Sequence, residues 1–149
     1  MQEKDIETVS RLYRDMYAQQ KKMGMVMDFN GDEIQEMLAV QLKSRFFTLL
    51  VLEDRCETKG FAVGSIVRAK GKYKLQKGNF LAFINDIYVS PDKRNSGYGK
   101  ALLKALEDRF EEQGIGYIEL NVLEGNEEGR SFWKKNGYND VIRVMYKNI

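Results

Sequence analysis

Histidine is absent from the 149 residues, and cysteine, proline and tryptophan occur once each. Without imidazole, Ser-His-Asp and Cys-His catalysis are excluded, and a zinc site loses its commonest nitrogen ligand, so no metal centre is expected. The single thiol, Cys56 in the polar turn Glu53-Asp54-Arg55-Cys56-Glu57-Thr58, permits no intrachain disulfide and suits a reducing cytoplasm. With one proline and no low-complexity stretch, the composition is that of a folded chain rather than a disordered one. No apolar run approaches the length of a membrane span, and the charged start Met1-Gln2-Glu3-Lys4-Asp5 enters an amphipathic segment with no secretory core. A cytoplasmic location without membrane attachment is the expectation.

Charge of one sign is also lacking: 24 basic against 22 acidic side chains leave +2, too balanced for a general nucleic-acid binder. Its distribution is uneven. Lys93, Arg94, Lys100 and Lys104 carry the stretch 93–104 without an acid, whereas 24–42 holds Asp28, Asp32, Glu33 and Glu36 without a base. A basic loop suits a polyphosphate, and an acidic rim suits a cationic acceptor or is simply a solvated helix face. The length fits one domain over 1–149 that buries roughly two-thirds of its unfolded surface.

Ile6, Val9, Leu12, Tyr13, Met16 and Tyr17 recur at threes and fours, which predicts a helix over 5–22 stopped by Gly24. A second helix is expected over 32–43, then a hairpin of strands 46–53 and 61–69 around a turn at 54–59. The segment 71–78, with Lys72, Lys74 and Lys77, reads as an exposed loop before a strand at 80–90. Ala101, Leu102, Leu103, Leu106 and Phe110 mark a third helix ending at Gly114. A strand at 117–123, a short helix from Asn126, and one or two strands over 138–146 complete an α/β domain on a mixed sheet.

Between the strand at 80–90 and its helix lies Arg94-Asn95-Ser96-Gly97-Tyr98-Gly99. Glycines there let backbone approach a ligand, and the unpaired amides of the first helical turn favour an anion. A Walker loop fails, because Arg94 stands where it needs Gly and Ala101 where it needs Ser or Thr. A dinucleotide fingerprint begun at Gly97 fails at Leu102. The remaining Arg-x-x-Gly-x-Gly pattern resembles the pyrophosphate loop of the GNAT superfamily of acyl-CoA N-acyltransferases. Downstream, Asn126-Glu-Glu-Gly129-Arg-Ser-Phe132-Trp133-Lys-Lys-Asn-Gly137-Tyr138 is similar to that family's Asn-x-x-Ala-x-x-Phe-Tyr-x-x-x-Gly-Phe segment.

The resemblance implies a GNAT-type mixed, mostly antiparallel sheet flanked by helices, with splayed central strands forming the CoA cleft. Such proteins begin with a strand, which here is short or absent, since 1–4 are few and polar. An unpaired edge and family habit together imply a homodimer. Acetyl-CoA is the implied cofactor. Backbone of Ile87, Tyr88 and Val89 would bond the pantetheine, amides from Arg94, Asn95, Ser96, Gly97, Tyr98, Gly99 and Lys100 would take the pyrophosphate, and Asn126 would lie near the pantetheine. Arg130, Lys134 and Lys135 either meet the 3′-phosphate or form a solvated face.

Acetyl transfer to an amine needs a proton acceptor for the amine, a polarised carbonyl and a proton for the thiolate. A backbone N–H near Val89 suits the carbonyl. Asp86 is the candidate base, although polyamine-acetylating members carry an acidic pair where this chain has Asn85-Asp86, and alternation places those two on opposite faces. Trp133 stands where the family has the Tyr that protonates the thiolate, and an indole N–H is no practical acid. Tyr138, Tyr88 or water would substitute, although an aromatic at Tyr138 more commonly buries against the sheet. Met23-Gly-Met25-Val26-Met27-Asp28-Phe29-Asn30 is either an acceptor wall or core under a loop. The reading is an acetyl-CoA-dependent N-acetyltransferase of a small primary amine such as a polyamine, amino acid or aminated drug. Two alternatives stand beside it: a protein N-terminal or lysine acetyltransferase, and a non-catalytic acyl-CoA-binding regulatory module.

Overall fold

The computed structural model describes residues 1–69, 75, 78–147 and 149, so Lys72, Lys74 and Lys77 of the expected loop lie outside the described residues. In place of a first strand, Glu3–Asp5 form a 3-10 turn, closed by Gln2 N–H donating to Asp5 Oδ2 at 2.6 Å. The Met1 amino group reaches Leu49 O at 3.2 Å. Helix α1 (Ile6–Lys22) follows and buries Val9, Leu12, Tyr13 and Met16, the stripe that its spacing predicts. Helix α2 (Ile34–Lys43) buries Ile34 and Leu38.

Strands β1 (Phe47–Asp54) and β2 (Glu57–Arg68) form a hairpin tighter than expected, with Asp54 paired to Glu57. Arg55 and Cys56 make the turn at φ of 51° and 64°, the left-handed pair that matches strand twist. That turn starts β2 four positions before the apolar run at Phe61. Strand β3 (Phe80–Val89) lies antiparallel to β2, and β4 (Ile118–Leu120) parallel to β3, giving the order β1-β2-β3-β4. Helices α3 (Tyr98–Glu112) and α4 (Glu127–Lys135) complete the fold.

Each sheet face has its own core. Tyr13, Leu38, Phe61, Val63 and Tyr88 pack with α1 and α2, while Ala62, Ala82, Ile84, Leu103, Leu106 and Phe110 pack with α3. Gly64 lies under Phe110, where a Cβ would overlap the ring, so glycine lets α3 sit directly on β2. Two expected strands differ. The 117–123 strand pairs only over Ile118–Leu120, because β4 turns away from β3 beyond that point. The 138–146 segment lies outside any strand, with Tyr138 half-buried and 139–146 exposed. Among the described residues, no helix is long and apolar enough to cross a membrane, and no cluster of His, Cys, Asp and Glu could hold a metal.

Candidate active site

Three ladder pairs, ending at Ile84 and Leu120, join β3 to β4. Residues 85–89 therefore have β2 along one side and, among the described residues, no strand along the other. Within this free stretch the β2–β3 register jumps from Gly64–Ile84 to Val63–Asp86, leaving Asn85 as the extra residue of a bulge. The bulge reverses which way the strand's side chains point. Ala82 and Ile84 before it belong to the α3 core, while Tyr88 beyond it belongs to the α1 core. Asp86 shares that turn, and Tyr13 on α1 donates a hydrogen bond to its Oδ2 at 2.9 Å.

Burial lifts the Asp86 carboxyl above the ordinary carboxylate range, and the Tyr13 hydrogen bond offsets part of that rise. Tyr13 is pushed up as well, first by burial and then by the neighbouring charge of Asp86. The two form a shielded carboxylate–phenol pair beside the free edge of β3. Asn85 is exposed, and the bulge interrupts the simple alternation expected to divide the two residues between faces.

After Val89 the chain passes through a 3-10 turn (Pro91–Lys93) and the loop 94–97 into α3. Asn95 and Gly97 adopt positive φ of 59° and 81°, and an added Cβ at Gly97 would meet nothing within 4 Å. The first turn of α3 contains no acid, so its amides and dipole face an unneutralised opening. Loop and helix start thus bring Ser96, Gly97, Tyr98, Gly99 and Lys100 together at the mouth of the β3/β4 gap. The basic charge there is largely committed: Lys93 pairs with Asp54 at 2.7 Å, Arg94 with Glu128 at 3.5 Å and Lys104 with Asp108 at 2.8 Å. Backbone amides, more than free cations, are what this opening could offer an anion.

The Arg94 side chain ties the walls of the gap together. Its Nε donates to Val89 O at 3.2 Å, its Nη2 to Gln19 Oε1 at 2.5 Å, and its guanidinium lies 5.8 Å from the Tyr88 ring centre. Gln19 Nε2 in turn donates to the Tyr88 hydroxyl at 3.0 Å. Burial raises Tyr88, with the Gln19 hydrogen bond opposing it. The C-cap of α1 also approaches the far side, since Gly125, five residues past β4, touches Met23 so closely that a Cβ would overlap its carbonyl oxygen.

Two sequence-expected residues serve local structure. Asn126 caps α4, its Oδ1 accepting from Gly129 N at 2.9 Å. Tyr138 packs edge-on against Trp133 at 5.2 Å and donates to Glu107 Oε1 at 2.9 Å, so its hydroxyl is turned to α3 instead of the β3 edge. Burial, then Glu107, push that phenol's pKa up. The sequence reading passed over Tyr13 and Gln19. Tyr13 had a signal, because a tyrosine on a buried helical stripe needs a partner for its hydroxyl, but Gln19 had none.

In the loop after α1, Tyr17 and Phe29 stack at 4.9 Å and the Tyr17 hydroxyl donates to Met27 O, which pins the loop while Met27 stays exposed. Asp28 is paired with Lys21 at 3.0 Å, so one acid of the base-free stretch finds its counterion on α1.

A family model described as Acetyltransferase (GNAT) family matches residues 7–138. The uncharacterized N-acetyltransferase YhfO of Bacillus subtilis (strain 168) is 28% identical over 132 residues, which span 86% of this chain and 77% of the relative. A tetramutant of the BH1408 protein from Bacillus halodurans shares the fold with a TM-score of 0.84 at 21% identity, over 100% of this chain and 97% of its own. So does a predicted acetyltransferase crystallised with acetyl-CoA from Clostridium acetobutylicum, with a TM-score of 0.78 at 18% identity over 99% and 92% of the two chains.

Proposed function

The chain belongs to the GNAT acetyltransferase family, and from that premise we propose that it moves an acetyl group from acetyl-CoA to the primary amine of a small molecule. One observation carries the reading: a one-sided strand edge, a helix N-terminus free of acids and a half-buried carboxylate hydrogen-bonded by Tyr13 converge at the β3/β4 gap. These residues fit the cofactor. Amides from Asn95 to Lys100 would hold its pyrophosphate, Gly97 supplying the left-handed turn, and the edge at Ile87, Tyr88 and Val89 would pair with its pantetheine arm. When bound, acetyl-CoA supplies an activated thioester.

In this reading Asp86 takes the proton of the attacking amine. An alkyl ammonium holds its proton near pKa 10, so a carboxylate raised by burial is a better matched base than an exposed one. Tyr13 positions it. Tyr88, or water, replaces Tyr138 as the thiolate's proton source, because the Tyr138 hydroxyl is committed to Glu107. The exposed Met27 and the acids of α2's approach, Asp32 and Glu33, favour a cationic amine on a partly apolar body. The test is product mass after incubation with acetyl-CoA and a panel of small primary amines and peptides. An acetylated small amine supports the proposal. Acetylation confined to peptide N-termini or lysines replaces its acceptor class.

A further inference from the structure

Most hydrogen-bonded tyrosine hydroxyls among the described residues have spent their proton. Tyr13 donates to Asp86 Oδ2, Tyr17 to Met27 O and Tyr138 to Glu107 Oε1. Tyr88 is the reverse case. Its oxygen accepts from Gln19 Nε2 at 3.0 Å, which leaves the phenol proton with no acceptor among the described residues.

The direction of that bond is set from outside the pair. A glutamine side chain can offer a hydroxyl either its oxygen or its nitrogen, and here Arg94 decides, because a guanidinium has only donors. Arg94 Nη2 donates to Gln19 Oε1 at 2.5 Å, so Gln19 Nε2 is the end turned to Tyr88. Arg94 is itself held by Val89 O at 3.2 Å and by Glu128 at 3.5 Å. Donation therefore runs one way, from the cradle loop through α1 to β3, and ends on a residue of the one-sided stretch 85–89. The charges that bear on this phenol are Asp15 of α1, Asp92 of the 3-10 turn and Arg94.

Resting on the acetyltransferase reading, we infer that Gln19, oriented by Arg94, is a positioning residue that keeps the Tyr88 proton free for the leaving thiolate. Tyr88 passes its proton to the sulfur as the electron pair of the carbon–sulfur bond departs with that atom. The phenolate oxygen then accepts from Gln19 N–H, and solvent returns the proton. Asp86 has meanwhile taken one proton from the amine, so one proton is given and one received.

Two variants of matched size separate this role from a spacer. Gln19→Glu retains an acceptor for Arg94, but a carboxylate only accepts, so it reverses the bond and claims the Tyr88 proton. Gln19→Met removes the bond and leaves the proton free. The kcat for thiol release is expected to fall modestly in Gln19→Met and by about tenfold or more in Gln19→Glu, with KM for acetyl-CoA unchanged. A second readout needs no acetyl-CoA: ultraviolet titration of the Tyr88 phenol, taken as the difference from Tyr88→Phe. It is expected to move to higher pH in both variants, further in Gln19→Glu. A phenol that titrates alike in all three proteins, or full thiol release in Gln19→Glu, overturns the inference and leaves the acetyltransferase reading standing. No release from the unaltered protein with any amine overturns both. Where circular dichroism shows that Gln19→Glu does not fold, Gln19→Met carries the same two readouts.

Discussion

Asp86 owes its position to its chain neighbour, Asn85. In an unbroken ladder, strand alternation would carry Asp86, two residues after Ile84, to the α3 face with Ala82 and Ile84; the bulge at Asn85 turns it toward Tyr13 instead. Residue types show that an acid is present, but a bulge depends on the register of two strands, which no local pattern encodes. That is why the candidate base was legible and its pairing with Tyr13 was not. Because the fold holds Asp86 above its unfolded pKa, its contribution to stability is full below the ordinary carboxylate range and is lost as pH rises through the folded value. Asp86→Asn cannot ionise, so at neutral pH its melting temperature is expected to equal or exceed that of the unaltered protein. Tyr138→Phe loses only the Glu107 hydrogen bond, and chemical denaturation is expected to show a loss of about 1 kcal/mol, with kcat unchanged.

At the level of elements, the helices were legible because their buried positions recur at threes and fours, and the glycine loop because few residues tolerate its backbone. The short β4 and the extended 138–146 segment were not, since both follow from where strands part company rather than from their own composition. Gly97 and Gly64 test different requirements. At Gly97 the space is open but φ is positive, so Gly97→Val strains the loop and crowds the cradle; calorimetry is expected to show at least about tenfold weaker acetyl-CoA binding by a folded protein. At Gly64 the conformation is ordinary but Phe110 fills the space, so Gly64→Ala is expected to lower unfolding free energy by about 1–3 kcal/mol by denaturant titration.

Over the whole molecule, the sheet is closed against helices on both faces yet opens where β3 and β4 diverge, and α1 spans that opening through Gln19, Met23 and the Arg94 tie. Occupancy of the opening would engage α1, β3 and α3 together. Acetyl-CoA at about a hundred times its Kd is therefore expected to add about 2.7 kcal/mol to the unfolding free energy. The most direct measurement is thiol release from acetyl-CoA with the best primary amine, followed against pH for the unaltered protein and for Asp86→Asn. The expected result is amine-dependent release, a rate that climbs with pH above the ordinary carboxylate range, and a loss of about 10²-fold or more in the variant together with that limb. Acetyl-CoA binding without release for any amine, or full activity in Asp86→Asn, would contradict it.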